Sequence, residues 1–181
     1  MSQFTPTRRT VRVLVPQDSI ADIFDECDRH PTNETGGRLL GGYDKIGQQL
    51  VIQVTGILGP GPNARRTPTS FFQDGEHQER IFRAIEDRNP GIEHLGNWHT
   101  HHVNGLERLS GGDIDTYHRI VNSENHNPDI FVAFLVTKKL SGPARYALRF
   151  YMLLRGNEKV FEIPETAVTR IAITPVWRAQ P

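Results

Sequence analysis

Gly96-Asn97-Trp98-His99-Thr100-His101-His102-Val103-Asn104-Gly105-Leu106-Glu107-Arg108-Leu109-Ser110-Gly111-Gly112-Asp113 is the segment from which the rest of the chain can be interpreted. Ile92 to His101 reads as a strand. Residues two apart in a strand point to one face, so His99 and His101 project side by side, about 7 Å apart at Cα, and two imidazoles at that spacing can share one metal. Gly105 allows the chain to turn. Ser110 then opens a helix expected to reach about Asn122, carrying Ile114, Tyr117, Ile120 and Val121. Asp113 falls in its first turn. Taken alone, Ser110 and Asp113 fit a plain helix start, the hydroxyl capping backbone N–H groups and the carboxylate favouring the positive end of the dipole. Taken alone, His-x-His is a common pattern. Together they are more specific. Two imidazoles and one carboxylate leave a fourth tetrahedral position for water, which marks a catalytic rather than a structural zinc.

Such a centre needs a general base, and Glu34 is the candidate. It stands in Asn33-Glu34-Thr35-Gly36-Gly37-Arg38-Leu39-Leu40-Gly41-Gly42, just before a glycine-rich apolar strand. Glycines there let the backbone approach its neighbours or an extended ligand closely. From the residues alone, Glu34 is equally a solvated acid in a loop.

Working outward, Val11, Val13 and Val15 alternate as a first strand. Ile20, Ile23, Phe24 and Cys27 follow at i, i+3, i+4 and i+7, one apolar helical stripe. Asp18 or Ser19 is the expected cap, and Pro31 lies beyond the end. On that stripe Cys27 reads as a small packed hydrophobe rather than a nucleophile. Leu39–Tyr43 and Leu50–Leu58 read as a hairpin turning at residues 44–47. Residues 59–69, rich in Gly and Pro, read as a surface loop. Ser70–Gln73 reads as a short strand and Glu76–Asp87 as a helix with Ile81, Phe82 and Ile85 on one face. Phe131–Thr137, Tyr146–Leu154 and Arg170–Ile173 complete the strands. Strands mixed with helices along the whole length predict an α/β (α+β) sandwich around one sheet.

Composition bounds the rest. A chain of 181 residues suits one domain spanning 1–181. Basic and acidic residues number 21 each, a balance that gives no support to bulk binding of nucleic acid or a membrane surface. The apolar run from Phe131 to Val136, even with Ile130 before it, falls far short of the ~20 residues a bilayer span requires. The start of the chain is too charged for a signal-peptide core, so a cytoplasmic protein is expected. One cysteine allows no internal disulfide and no multi-cysteine zinc site.

The set Glu34…His99-x-His101…Ser110-x-x-Asp113 resembles the JAMM motif of the MPN/JAB (MPN+) metalloprotease family. That motif is a glutamate before a Gly-rich strand, then His-x-His, then seven to ten residues, then Ser-x-x-Asp. Here positions 102–109, eight residues, separate His101 from Ser110. The resemblance covers roughly residues 10–140, leaving further strands in 141–181. It implies the MPN/JAB fold, cytidine-deaminase-like, with a central mixed β-sheet flanked by helices. It also implies one catalytic Zn2+ held by His99, His101 and Asp113, Glu34 as general base and Ser110 as an oxyanion donor. The implied activity is that of a deubiquitinase-like isopeptidase or peptidase, cutting after the C-terminal glycine of a ubiquitin-like protein. Members often carry proline after the second histidine; this chain has His102, which as a strand neighbour of His101 faces away and reads as a surface or substrate-contacting residue. The size and the wording Trp-His-Thr-His-His look more like bacterial JAB proteins. These occur with ubiquitin-like proteins and E1- and E2-like enzymes, some of them in antiphage defence. The loop from Gly59 to Gly75, with Phe71 and Phe72, is expected to shape the substrate groove.

Rival readings remain open on sequence. One is a non-catalytic MPN scaffold, although no motif residue is missing. Another is processing of a sulfur-carrier precursor. A cupin-like metal enzyme with Glu107 as a ligand would want a downstream histidine, and 141–181 contains none. A zinc nucleobase deaminase would need Cys-x-x-Cys.

Overall fold

The computed structural model describes residues 6–139 and 145–172. In chain order the elements are β1 (Val11–Pro16), α1 (Gln17–Arg29), β2 (Gly36–Ile46), β3 (Gln49–Leu58), β4 (Arg65–Thr67), β5 (Ser70–Phe72), α2 (Gly75–Glu86), β6 (Glu93–Thr100), α3 (Gly111–Val121), β7 (Ile130–Lys138), β8 (Tyr146–Leu154), β9 (Val160–Ile163) and β10 (Val168–Ile171). Among the described residues eight strands form one mixed sheet in the order β10-β1-β3-β2-β6-β7-β8-β9, and β4 pairs with β5 separately.

The apolar run of β7 is central to the packing. It lies parallel to β6 and antiparallel to β8. Because side chains alternate, Ile130, Val132, Phe134 and Val136 join the core around Ile20, Ile23 and Cys27 of α1, while Phe131, Ala133 and Leu135 pack with Tyr117 and Val121 of α3. A strand covered on both faces has no polar side to show, which is why this segment reads as unbroken hydrophobe. On β2, Leu39 faces α1, and Leu40 packs against Phe82 and Ile85 of α2. Thus α1 covers one face, and α2 and α3 the other.

The outermost strands, β9 and β10, are joined by residues 164–167 only. Five Cα steps span at most about 19 Å. The sheet therefore curls until its two edges approach, with α1 in the concavity. Ile163, Ala167 and Val168 accordingly belong to the same core as α1. Burial of Cys27 there pushes its thiol up to about 12, with Glu26 and Asp28 adding to the effect.

A bulge sets which side β6 presents. Leu39 pairs with Gly96 and Leu40 with His94, so Leu95 is skipped. Gly96 has φ +153°, and a Cβ there would meet the Val132 carbonyl oxygen at 1.9 Å, so only glycine fits. Past this bulge, Trp98 shares the α1-side core with Leu95, three positions away, and the following odd-numbered side chains face α3.

Several expectations are corrected. Neither Asp18 nor Ser19 caps α1; Pro16 is its N-cap and makes no side-chain cap bond. Strand β2 runs on through Ile46, so the hairpin turns at Gly47-Gln48, Gly47 taking φ +61°. The loop expected at 59–69 contains β4, which folds back on β5. His102 is not a surface residue: it is buried, its Nε2 bonded at 3.0 Å to the His30 carbonyl oxygen, its ring edge-on to Tyr146. Of the strand expected at Arg170–Ile173, β10 covers Val168–Ile171, and residue 173 lies outside the described residues. Among the described residues no helix is long and apolar enough to cross a membrane.

Candidate metal centre

His99 is the penultimate residue of β6, and His101 follows the strand's last residue. The His101 backbone N–H still donates to the Val136 carbonyl of β7 at 2.8 Å, which keeps it in the strand's alternation. Their Nε2 atoms stand 3.1 Å apart. Asp113 of α3 closes the set: its Oδ1 lies 3.4 Å from His99 Nε2 and its Oδ2 3.4 Å from His101 Nε2. One ligand atom from each of the three residues lies within 4.8 Å of the others, a cluster that can hold one metal ion.

The outer hydrogen bonds suit that role. His101 Nδ1 lies 3.0 Å from the Arg108 carbonyl oxygen. A carbonyl only accepts, so Nδ1 carries a proton and Nε2 is the atom turned to the cluster. His99 Nδ1 lies 2.8 Å from the hydroxyl of Tyr117, which is buried and stacked on Phe131 at 4.7 Å. Asp113 is oriented by Ser110. The Ser110 backbone N–H and hydroxyl donate to Oδ2 at 2.7 and 2.6 Å, and the Asp113 N–H returns a bond to Ser110 Oγ at 3.2 Å. The cap and the ligand cluster are one arrangement, with Oδ1 left free of Ser110.

Glu34 reaches the centre from the segment between α1 and β2. Its Oε1 lies 3.9 Å from His101 Nε2, and it is 5% exposed. Its backbone N–H donates to the Thr67 carbonyl of β4 at 2.8 Å. The next residue, Thr35, donates its hydroxyl to Glu26 Oε1 and its N–H to Thr100 Oγ1, both at 2.9 Å. Arg66 of β4 adds a bond to the same Glu26 oxygen at 3.2 Å. Glycine is required beside it: a Cβ on Gly36 would meet the Trp98 carbonyl oxygen at 2.6 Å and Phe71 at 2.8 Å. The close approach is to neighbouring chain, β6 and the β4–β5 hairpin.

The electrostatics follow from four titratable groups in one small space. Burial, with Asp113 adding and His101 opposing, pushes Glu34 up to about 7. Burial would also raise Asp113, but hydrogen bonds from His101 and His99 outweigh it and hold that carboxyl far below its usual range. Burial works against a charged His101, yet Asp113 and Glu34 overcome it and leave its pKa raised.

The five residues singled out by sequence, Glu34, His99, His101, Ser110 and Asp113, thus meet at one place. Two others at the site were not singled out. In the sequence Tyr117 is one residue of an apolar helical stripe, and a tyrosine at such a position carries no signal that its hydroxyl meets a histidine. Asn104, which donates to Glu34 Oε1 at 2.6 Å, sits in the quoted segment, but nothing in its spacing distinguishes it from a loop polar residue.

No family model matches the chain. It is similar to a CD-NTase/cGAS isopeptidase from Escherichia coli (strain TW11681), 37% identical over 91 residues, which are 49% of this chain and 56% of the relative. The match thus spans little more than half of that relative's length. Among solved structures it is similar to protein DSY2949 from Desulfitobacterium hafniense, with a TM-score of 0.58, 17% identity, and coverage of 88% of this chain and 94% of the other. At that identity the likeness concerns the fold alone.

Proposed function

We propose that this chain is a zinc-dependent isopeptidase of the MPN/JAB type, cleaving after the C-terminal glycine of a ubiquitin-like protein. The observation that carries the reading is the cluster of His99, His101 and Asp113 ligand atoms facing the buried carboxylate of Glu34. The partial match to a relative named an isopeptidase supports the same bond class. The relative's name further suggests conjugates of a CD-NTase/cGAS-type protein as targets. The resemblance to bacterial JAB proteins adds an antiphage conjugation system with E1- and E2-like enzymes as the setting.

In this reading His99 and His101 offer Nε2, and Asp113 offers Oδ1, to one ion. A bound zinc would supply Lewis acidity, acidifying water and polarising a carbonyl oxygen. Glu34 takes a proton from the attacking water at Oε1 and returns it to the departing amine nitrogen. The Ser110 backbone N–H keeps Asp113 in place, and the Ser110 O–H swings from Asp113 Oδ2 toward the oxygen that gains charge as the carbonyl is attacked. Tyr117 and the Arg108 carbonyl hold the imidazole rings in place. The β4–β5 hairpin, anchored on both sides of Glu34, presents Phe72, 58% exposed, as one wall for the substrate's extended tail.

The test is to incubate the protein with a bacterial ubiquitin-like protein fused through its terminal glycine to a reporter. Release of the reporter that is lost with chelator and restored by zinc is expected. Release that persists in chelator would overturn the zinc mechanism, and no release from the fusion would overturn the substrate class.

A further inference from the structure

The loop between β6 and α3 carries a side chain that the motif leaves unused. Asn104 is exposed at the mouth of the centre, and its Nδ2 donates at 2.6 Å to Glu34 Oε1. That is the same oxygen that stands 3.9 Å from His101 Nε2. The orientation of the amide is settled by a second bond: the Leu106 backbone N–H donates to Asn104 Oδ1 at 2.9 Å. The oxygen is therefore the accepting end, and the NH2 group is turned to the carboxylate. The bond from Leu106 shapes the loop locally. The bond to Glu34 joins positions 70 residues apart.

Glu34 needs such a partner. Its backbone is tied by the bond to Thr67, but a glutamate has three side-chain torsions that a backbone bond leaves free. A hydrogen bond from a loop that is itself locked selects one rotamer among them.

We propose that Asn104 is a positioning residue, its amide clamping the Glu34 carboxylate in the rotamer that faces the His99, His101 and Asp113 cluster. The inference rests on the reading of Glu34 as general base, and its test separates the two.

Asn104→Ser and Asn104→Asp each keep a side-chain oxygen that can accept from Leu106 N–H, and each breaks the bond to Glu34: aspartate has no donor, and the serine hydroxyl stands one bond short of the amide nitrogen that reaches the carboxylate. Serine adds no charge; aspartate adds repulsion. In crystals of the metal-free full chain, Asn104→Ser is expected to move the Glu34 carboxylate by more than about 1 Å or split it between rotamers, with the loop unchanged. With the reporter fusion, both variants are expected to lose about 10–100-fold in kcat, with zinc content, melting temperature and KM close to the starting protein. A Glu34 side chain that stays put in Asn104→Ser overturns the proposal. So does a kcat loss confined to Asn104→Asp, which would be repulsion alone. If the starting protein cleaves nothing while Glu34 loosens in Asn104→Ser, the clamp stands and the isopeptidase reading fails.

Discussion

Replacing Tyr117 with phenylalanine isolates one atom. The ring remains, so the stacking on Phe131 at 4.7 Å and the packing against β7 are kept. What is lost is the hydroxyl at 2.8 Å from His99 Nδ1. When Nε2 ligates a metal, Nδ1 must carry the proton, and in the variant that buried N–H has no acceptor. An unsatisfied buried donor costs about 1–3 kcal/mol. At about 1.4 kcal/mol per factor of ten, this is a loss of roughly 5–150-fold in zinc affinity, in line with the ~10–100-fold seen when partners behind metal ligands are removed. The assay is competition for zinc against a chromophoric chelator at pH 7.5, with the melting temperature of the metal-free protein measured in parallel. A zinc Kd within about twofold of the starting protein would refute the argument that His99 is held by Tyr117 for metal binding.

Other substitutions test the remaining parts. His99→Ala or Asp113→Ala should lose bound zinc and cleavage together, read by metal analysis of the purified protein. Glu34→Gln should keep zinc yet lose turnover by about 10²–10⁴-fold, and full activity would remove Glu34 from the mechanism. Phe72→Ala should raise KM for the reporter fusion with kcat unchanged, since the side chain lies outside the anchored face of the hairpin; an unchanged KM would make the hairpin inert. Acid stability tests the convex face. Burial, then the Arg38 charge, lowers His94 to about 4. Its folded pKa lies below the unfolded value near 6.5, so neutral His94 contributes stability that is full above pH 6.5 and is lost as pH falls through 4. The shift is worth up to about 3 kcal/mol. The difference in unfolding free energy between the starting protein and His94→Leu should change by that order between pH 7 and 4, and a constant difference would refute it.

Periodicity and chemistry in the sequence went far. The alternation in β1, the apolar stripe of α1 and the unbroken run of β7 are local patterns, and burial on one or both faces is their direct cause. The three candidate ligands and Glu34 were also legible, because a metal site demands particular residue types at spacings that a strand end and a helix start can present. Other features were not local. That β9 and β10 close the sheet around α1 depends on a short link and on pairing between strands far apart in the chain. His102 looked free to face solvent, yet curling of the sheet puts the His30 carbonyl and the Tyr146 ring in front of it.

Sequence alone determined which groups can ligate and which can accept a proton, since these are properties of side chains. Only the tertiary structure decided how those groups are held. Tyr117 comes from α3, the Arg108 carbonyl and Asn104 from the loop before it, and Thr67 from the β4–β5 hairpin; each meets its partner through folding, not through spacing along the chain. A hydrogen bond is a relation of distance and direction in space. It leaves no periodic mark on a sequence when its two ends lie on different elements.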